Sequence, residues 1–185
     1  MQTTQYVNEI IEELNRSADL ISSEEAEKLV DYILESKKVF VAGAGRSGFM
    51  AKSFAMRMMH MGLDAYVVGE TVTPNLEKKD ILIIGSGSGE TKSLVSMAEK
   101  AKKLEATVAL VTIFPDSTIG RMAEVSIKLA AQSKTETGSE YKTIQPMGSL
   151  FEQTLLLFFD AVILKVMEKK GMNSKTMFSR HANLE

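Results

Sequence analysis

The chain contains no cysteine, only two histidines and no large excess of either charge. Without thiols there is no disulfide, no cysteine nucleophile and no thiolate metal site, which fits a reducing compartment and makes the cytoplasm the expected location. His60 and His181 lie far apart in the sequence, so neither a histidine-based metal centre nor any other metal or cofactor is expected. A net charge of −2 with a pI near 5.8 gives no electrostatic reason to expect nucleic acid or an anionic membrane as a partner. The opening residues, MQTTQYVNEIIEELN, lack the basic start and apolar run of a secretory signal. The most apolar stretch runs from Leu155 to Leu164 and contains Asp160, about half the length that a membrane span needs, so it reads as a buried helix.

What the sequence does have is a regular alternation of two periodicities. Its 185 residues, 44% hydrophobic and 25% charged, suit one domain with a substantial core, residues 1–185. Val7, Ile10, Ile11, Leu14 and Ala18 recur at helical spacing. Ser22 and Glu25 have the spacing of a capping box ahead of Ala26, Leu29, Val30, Ile33 and Leu34, so helices are expected over about residues 3–35. Short β-branched-rich runs follow at 39–42, 65–68, 81–84 and 108–112, with a weaker one at 125–129. Being apolar on both faces, they read as strands buried in a parallel sheet. Helical segments at 47–60 and 91–104 alternate with them, and a last helix is expected over about 149–170. The fold class expected is α/β: a doubly wound, mainly parallel five-stranded sheet over about 38–130, flanked by helices in a flavodoxin-like three-layer sandwich. Residues 131–147 show no clear periodicity and 171–185 read as a polar, solvated tail.

Two glycine-rich loops stand where strands give way to helices. The first, Gly43-Ala44-Gly45-Arg46-Ser47-Gly48, matches G-x-G-x-x-G, and Glu70 near the end of the next strand could serve as a ribose-binding acid. A tight strand-to-helix turn needs glycine whatever it binds, however. The second, Ser86-Gly87-Ser88-Gly89-Glu90-Thr91, carries three hydroxyls around two glycines at a helix start. Converging backbone N–H groups, the partial positive charge of a helix N-terminus and hydroxyl donors suit a phosphate monoester. The plain alternative is a serine-rich turn that caps its helix. A dinucleotide domain has no use for this second loop, which favours a phosphorylated small molecule.

The paired signatures GAGRSG and SGSGET, one βα unit apart at strand ends, resemble those of the sugar isomerase (SIS) domain family, and the resemblance runs from the second helix to the tail. Within the family the short length, QPMGSLFEQ at 145–153 and the terminal RHANLE resemble the branch acting on hex-3-ulose phosphates. The resemblance implies an isomerase that takes D-arabino-hex-3-ulose 6-phosphate to fructose 6-phosphate in ribulose monophosphate formaldehyde fixation. It also implies a homotetramer with active sites shared between neighbouring subunits. Arg46 and Ser47 are then expected at the sugar or its phosphate, and Ser86, Gly87, Ser88, Gly89, Glu90 and Thr91 around the phosphate.

Moving a carbonyl from C3 to C2 means taking a proton from C2 and returning one to C3 through an enediol, work for one placed carboxylate. Glu152, the polar interruption ahead of the apolar run, matches the family's base. From the residues alone it is equally a capping-box partner of Ser149. The family's tail implies that His181 reaches a neighbour's site and aids ring opening. His60, by contrast, reads as a packed residue or a favourable charge near a helix end. Two rivals remain open at this point, a non-catalytic phosphosugar-binding regulator and an isomerase of another sugar phosphate. The acidic N-terminal 40 residues show no helix-turn-helix arrangement, which counts against the regulator.

Overall fold

In the computed structural model, which describes residues 1–132 and 141–184, the apolar runs form β1 (Val39–Gly43), β2 (Ala65–Val67), β3 (Ile81–Gly85), β4 (Thr107–Thr112) and β5 (Val125–Lys128). They pair in the order β2-β1-β3-β4-β5, and every pairing is parallel. Every residue of the ILIIG run is buried, as it must be in a central strand with helices on both faces. Gly43 pairs with Gly85 and Gly85 with Val111, so β1, β3 and β4 reach the same edge in register.

Alternate residues along each strand face opposite layers. On one side Val41, Ile83 and Val111 meet Leu29 and Ile33 of α2 (Ser23–Glu35), Phe54 and Met58 of α3 (Gly45–His60), and Leu155 and Phe159 of α5 (Ser149–Lys170). On the other, Phe40, Leu82, Ile84 and Leu110 meet Leu94, Ala98 and Ala101 of α4 (Lys92–Lys103). The expected three-layer, doubly wound sandwich is what forms, and its sheet is parallel throughout. Phe54 and Phe159 stack with centroids 4.2 Å apart, fastening α3 alongside α5. The first helix, α1 (Thr3–Ala18), packs on α5, where Ser17 Oγ donates to the Ala130 carbonyl at 2.6 Å and Thr154 Oγ1 donates to Ser17 Oγ at 3.3 Å. Among the described residues no helix is long and apolar enough to cross a membrane.

The structure departs from the expected solvated tail. A short helix, α6 (Ser174–Phe178), is capped by Asn173, and Met172 and Met177 pack against the larger core cluster. The Arg180 guanidinium occupies the space that a β-carbon on Gly62 would need, and the His181 ring stacks on His60 with centroids 5.4 Å apart. Two methionines and one absent side chain anchor a segment whose average composition is polar. Of the aperiodic 131–147 stretch, 133–140 lie outside the described residues.

The amino edge of the sheet is tied by Asp80, which is 1% exposed. Its carboxylate accepts from the amides of Lys38 at 3.1 Å and Glu77 at 2.7 Å, and stands 3.3 Å from Lys38 Nζ. Asp80→Ala leaves both amide donors without their acceptor and should lower stability by about 3 kcal/mol. A urea titration reads this as a lower midpoint with unchanged slope. An unchanged midpoint would show that the tie contributes nothing.

Candidate active site

Neighbouring strands β1 and β3 send their helices to opposite faces, so a crevice opens beyond their carboxyl ends, the switch point of a doubly wound sheet. The first glycine loop is explained by close packing there. A β-carbon on Gly43 would fall 2.9 Å from Gly48 N, and one on Gly48 would fall 2.7 Å from the Gly43 carbonyl oxygen. Gly45 has φ 57°, which L side chains rarely adopt. The proposed ribose acid, Glu70, is paired with Lys52 at 2.7 Å and half exposed, and it does not line the crevice. The G-x-G-x-x-G spacing thus has a steric reason that requires no dinucleotide.

The second loop carries the donors. Ser86 Oγ accepts from Gly89 N at 3.1 Å and Ser88 Oγ accepts from Glu90 N at 3.2 Å. With lone pairs so engaged, each hydroxyl proton is left to donate to an anion. The loop's Gly87 carbonyl is taken up by Ile113 N and Thr112 Oγ1, both at 3.1 Å, so that acceptor turns away from the cavity. Thr91 stands at the N-cap of α4 but its side chain makes no capping bond. Instead it joins Ser86, Gly87 and Ser88 in the wall of a cavity of about 310 Å³, the size of a small-ligand site. The remaining two loop residues face elsewhere. Gly89, at φ 62°, gives room to Ser117. The Glu90 carboxylate accepts from Thr118 N at 2.6 Å, and the bonds from Thr118 hold its carboxyl below the ordinary carboxylate range.

The opposite wall is the start of α5. Gly148, Phe151 and Glu152 line the same cavity, together with Ser47 from the first loop and Gln132 beyond β5. Glu152 is 4% exposed. The capping box offered as the alternative does not form with Ser149 as the cap: the N-cap is Gly148, which has no side chain, and the Ser149 hydroxyl accepts from Arg46 Nη1 at 2.9 Å. The same Arg46 nitrogen stands 3.0 Å from Glu152 Oε2. A buried carboxylate from α5 and three hydroxyls from the second loop therefore border one space, and a cation from the first loop meets that carboxylate from outside the lining. Phe151, Gly148, Ile113 and Gln132 were not singled out from the sequence. The first two fall within QPMGSLFEQ, whereas the last two are placed only by where β4 and β5 end.

His181 is not in this cavity. It belongs to a second one, of about 430 Å³, with Arg57, His60, Asp160 and Phe178, near the far end of α3. Thirteen residues of helix separate Ser47 from His60, a rise of about 20 Å. Burial, reinforced by the charge of Arg57 and by His181, holds the His60 pKa below its ordinary value of 6.5. Among the described residues no three His, Asp or Glu side chains gather closely enough to hold a metal ion.

With this geometry in hand, comparison with known proteins is informative. Residues 32–157 match the model of the SIS domain. A 3-hexulose-6-phosphate isomerase of Bacillus subtilis (strain 168) is 62% identical over 185 residues, covering 100% of both chains. A 3-hexulose-6-phosphate isomerase of Mycobacterium gastri is 39% identical over 174 residues, 94% of this chain and 87% of that one. A crystal structure of a hypothetical protein from Methanococcus jannaschii, for which the function of 3-hexulose-6-phosphate isomerase was inferred, superposes with a TM-score of 0.84. That match has 33% identity and covers 98% of this chain and 99% of the other. The chain belongs to the SIS domain family.

Proposed function

We propose that the chain, acting as a single SIS domain, isomerises D-arabino-hex-3-ulose 6-phosphate to fructose 6-phosphate, with Glu152 as the base. The observation that carries the reading is the position of Glu152, a buried carboxylate in the wall of the same cavity that the second-loop hydroxyls line. The full-length identity to the Bacillus isomerase supports the choice of sugar.

In this reading the phosphate rests on Ser86, Ser88 and Thr91 at the α4 N-terminus, where amides and hydroxyls point at negative charge. The ring-opened sugar then extends toward α5. Glu152 takes the proton from C2, and the electrons of that C–H bond become the C2–C3 double bond while the C3 carbonyl oxygen gains a proton. The C2 hydroxyl next loses its proton as C3 receives one, which leaves the carbonyl at C2. Arg46, 3.0 Å from the Glu152 carboxylate, supplies a cation beside the base, and in this reading its charge offsets the negative charge that develops on the enediolate.

Assembly as a homotetramer with shared sites belongs to the same proposal. Phe49 and Met56 on α3, and Leu157 and Leu164 on α5, are 51–65% exposed at seven-residue spacing on two helices packed side by side. Such an apolar surface suits a second copy of the chain. His181 lies beside His60, outside its own chain's cavity, and in this reading it serves a neighbour's cavity instead.

Three outcomes test this function. Glu152→Gln should fold and bind substrate but lose about 10²–10⁴-fold in kcat and fail to exchange the C2 proton with solvent deuterium. Exchange at the wild-type rate would move the base elsewhere. The double variant Ser86→Ala with Ser88→Ala should raise KM by about a hundredfold or more, since hydrogen bonds to a charged group are worth about 1.5–3 kcal/mol each. Unchanged KM in the folded protein would remove the phosphate assignment. Light scattering at micromolar concentration should give a mass well above the 20.4 kDa of one chain, and a fully active monomer would end the shared-site reading.

A further inference from the structure

Glu13 is a charged residue in the middle of α1, on a helix that lies outside the sheet sandwich, yet it is only 4% exposed. Its carboxylate gathers three donors from three consecutive residues. Oε2 accepts from Thr143 Oγ1 at 2.5 Å and from Gln145 Nε2 at 2.9 Å, and Oε1 accepts from Ile144 N at 2.8 Å. Thr143 Oγ1 in turn accepts from Gln145 N at 3.0 Å, which closes the knot. Burial by itself would push the Glu13 carboxyl up. The bonds from Thr143, Gln145 and Ile144, with Arg16 nearby, outweigh it and hold the group below the ordinary carboxylate range.

Sequence distance shows what the knot secures. Gln145 is three residues before Gly148, the N-cap of α5, and seven before Glu152. Between them, Ser149 N donates to the Pro146 carbonyl at 3.2 Å, so the turn entering the helix is itself fixed to the knotted segment. One turn further along α1, Ser17 Oγ donates to the carbonyl of Ala130, two residues before Gln132 in the cavity wall. Glu13 and Ser17, four apart and so on one helix face, thus hold both described ends of the aperiodic 131–147 stretch. Among the described residues Gln145 Oε1 has no hydrogen-bond partner, while the amide of the same side chain serves Glu13.

We infer that Glu13 is a positioning residue for the reaction: by binding Thr143, Ile144 and Gln145 it fixes the entry to α5 and with it the place of Glu152 against the bound sugar. The inference rests on the proposed isomerase function for its catalytic consequence and on geometry alone for the placement. Glu13 is not among the described residues that line the site cavity, so its effect passes through the backbone of 143–148. The phosphate loop after β3 is built without it. Loss of Glu13 should therefore slow turnover and leave substrate affinity nearly intact, because proton transfer is sensitive to misplacement of about 1 Å.

The test uses the full chain with two readouts, steady-state kinetics and amide hydrogen exchange. Glu13→Gln sets an amide donor against donors of the knot. It should lower kcat about 10–100-fold with KM within about twofold, and should lose exchange protection across 141–153 while β3 and β4 keep theirs. Thr143→Val, which removes one donor at equal size, should move both readouts in the same direction by less, and Thr143→Ser should restore them. A folded Glu13→Gln protein with wild-type kcat overturns the inference, as does a fall in kcat that only tracks the folded fraction. If Glu13→Gln does not fold, wild-type kcat in Thr143→Val overturns it instead. Should the wild type not turn over hex-3-ulose 6-phosphate, the functional reading fails by itself. The exchange experiment then still decides the placement, and unchanged protection over 141–153 in the variants overturns it.

Discussion

Backbone meets backbone where β1 turns into α3, and the site depends on that contact. Gly48 N lies close enough to Gly43 that a single β-carbon on either glycine would collide with the other. Because neither has one, α3 begins immediately at the strand end and runs down one face of the sheet, while α4 leaves β3 for the other face. The crevice between the two departures is the cavity. Leu155 presses just as closely on Gly85, 2.9 Å from where a β-carbon would be, and so brings α5 over the same edge. Two of the three helices, α3 and α5, reach this edge because three glycines leave room for them.

The cavity that results has two chemically different walls. One side holds donors only: the hydroxyls of Ser86, Ser88 and Thr91 and the amide end of α4, with the loop carbonyl of Gly87 bonded outward. The other holds a carboxylate, Glu152, beside the Arg46 guanidinium. In the proposed reaction this separation keeps anion recognition apart from proton transfer, since a phosphate drawn to the base would neutralise its purpose. Phe151 and Ile113 add apolar surface to the same lining.

Much of this was legible in the residues. Runs of β-branched side chains, apolar on both faces, can satisfy their burial only in a sheet covered twice, so the strands and their parallel pairing followed from pattern. Both loops were marked by glycine and serine at strand ends. Glu152 could not be decided that way, because a capping box and a catalytic carboxylate use the same letters at the same spacing. What separates the two readings lies at Arg46, 106 residues earlier in the chain, which takes up the Ser149 hydroxyl and meets the Glu152 carboxylate. The tail misled for a related reason: Met172, Met177 and Arg180 find partners on α3 and the core that no local window contains.

Sequence by itself determined the elements, their alternation and the donor-rich loop, since those depend on side-chain period and on backbone freedom within a few residues. Tertiary structure alone decided which donors face the cavity, that Glu90 turns to Thr118, and that His181 lies by His60 about 20 Å from its own chain's Ser47. It alone joined Glu13 to Thr143 across 130 residues. The reason is the range of the forces involved. Periodicity and turn preference are written into neighbouring residues, whereas a hydrogen bond or an ion pair acts over about 3 Å between groups that only folding brings together.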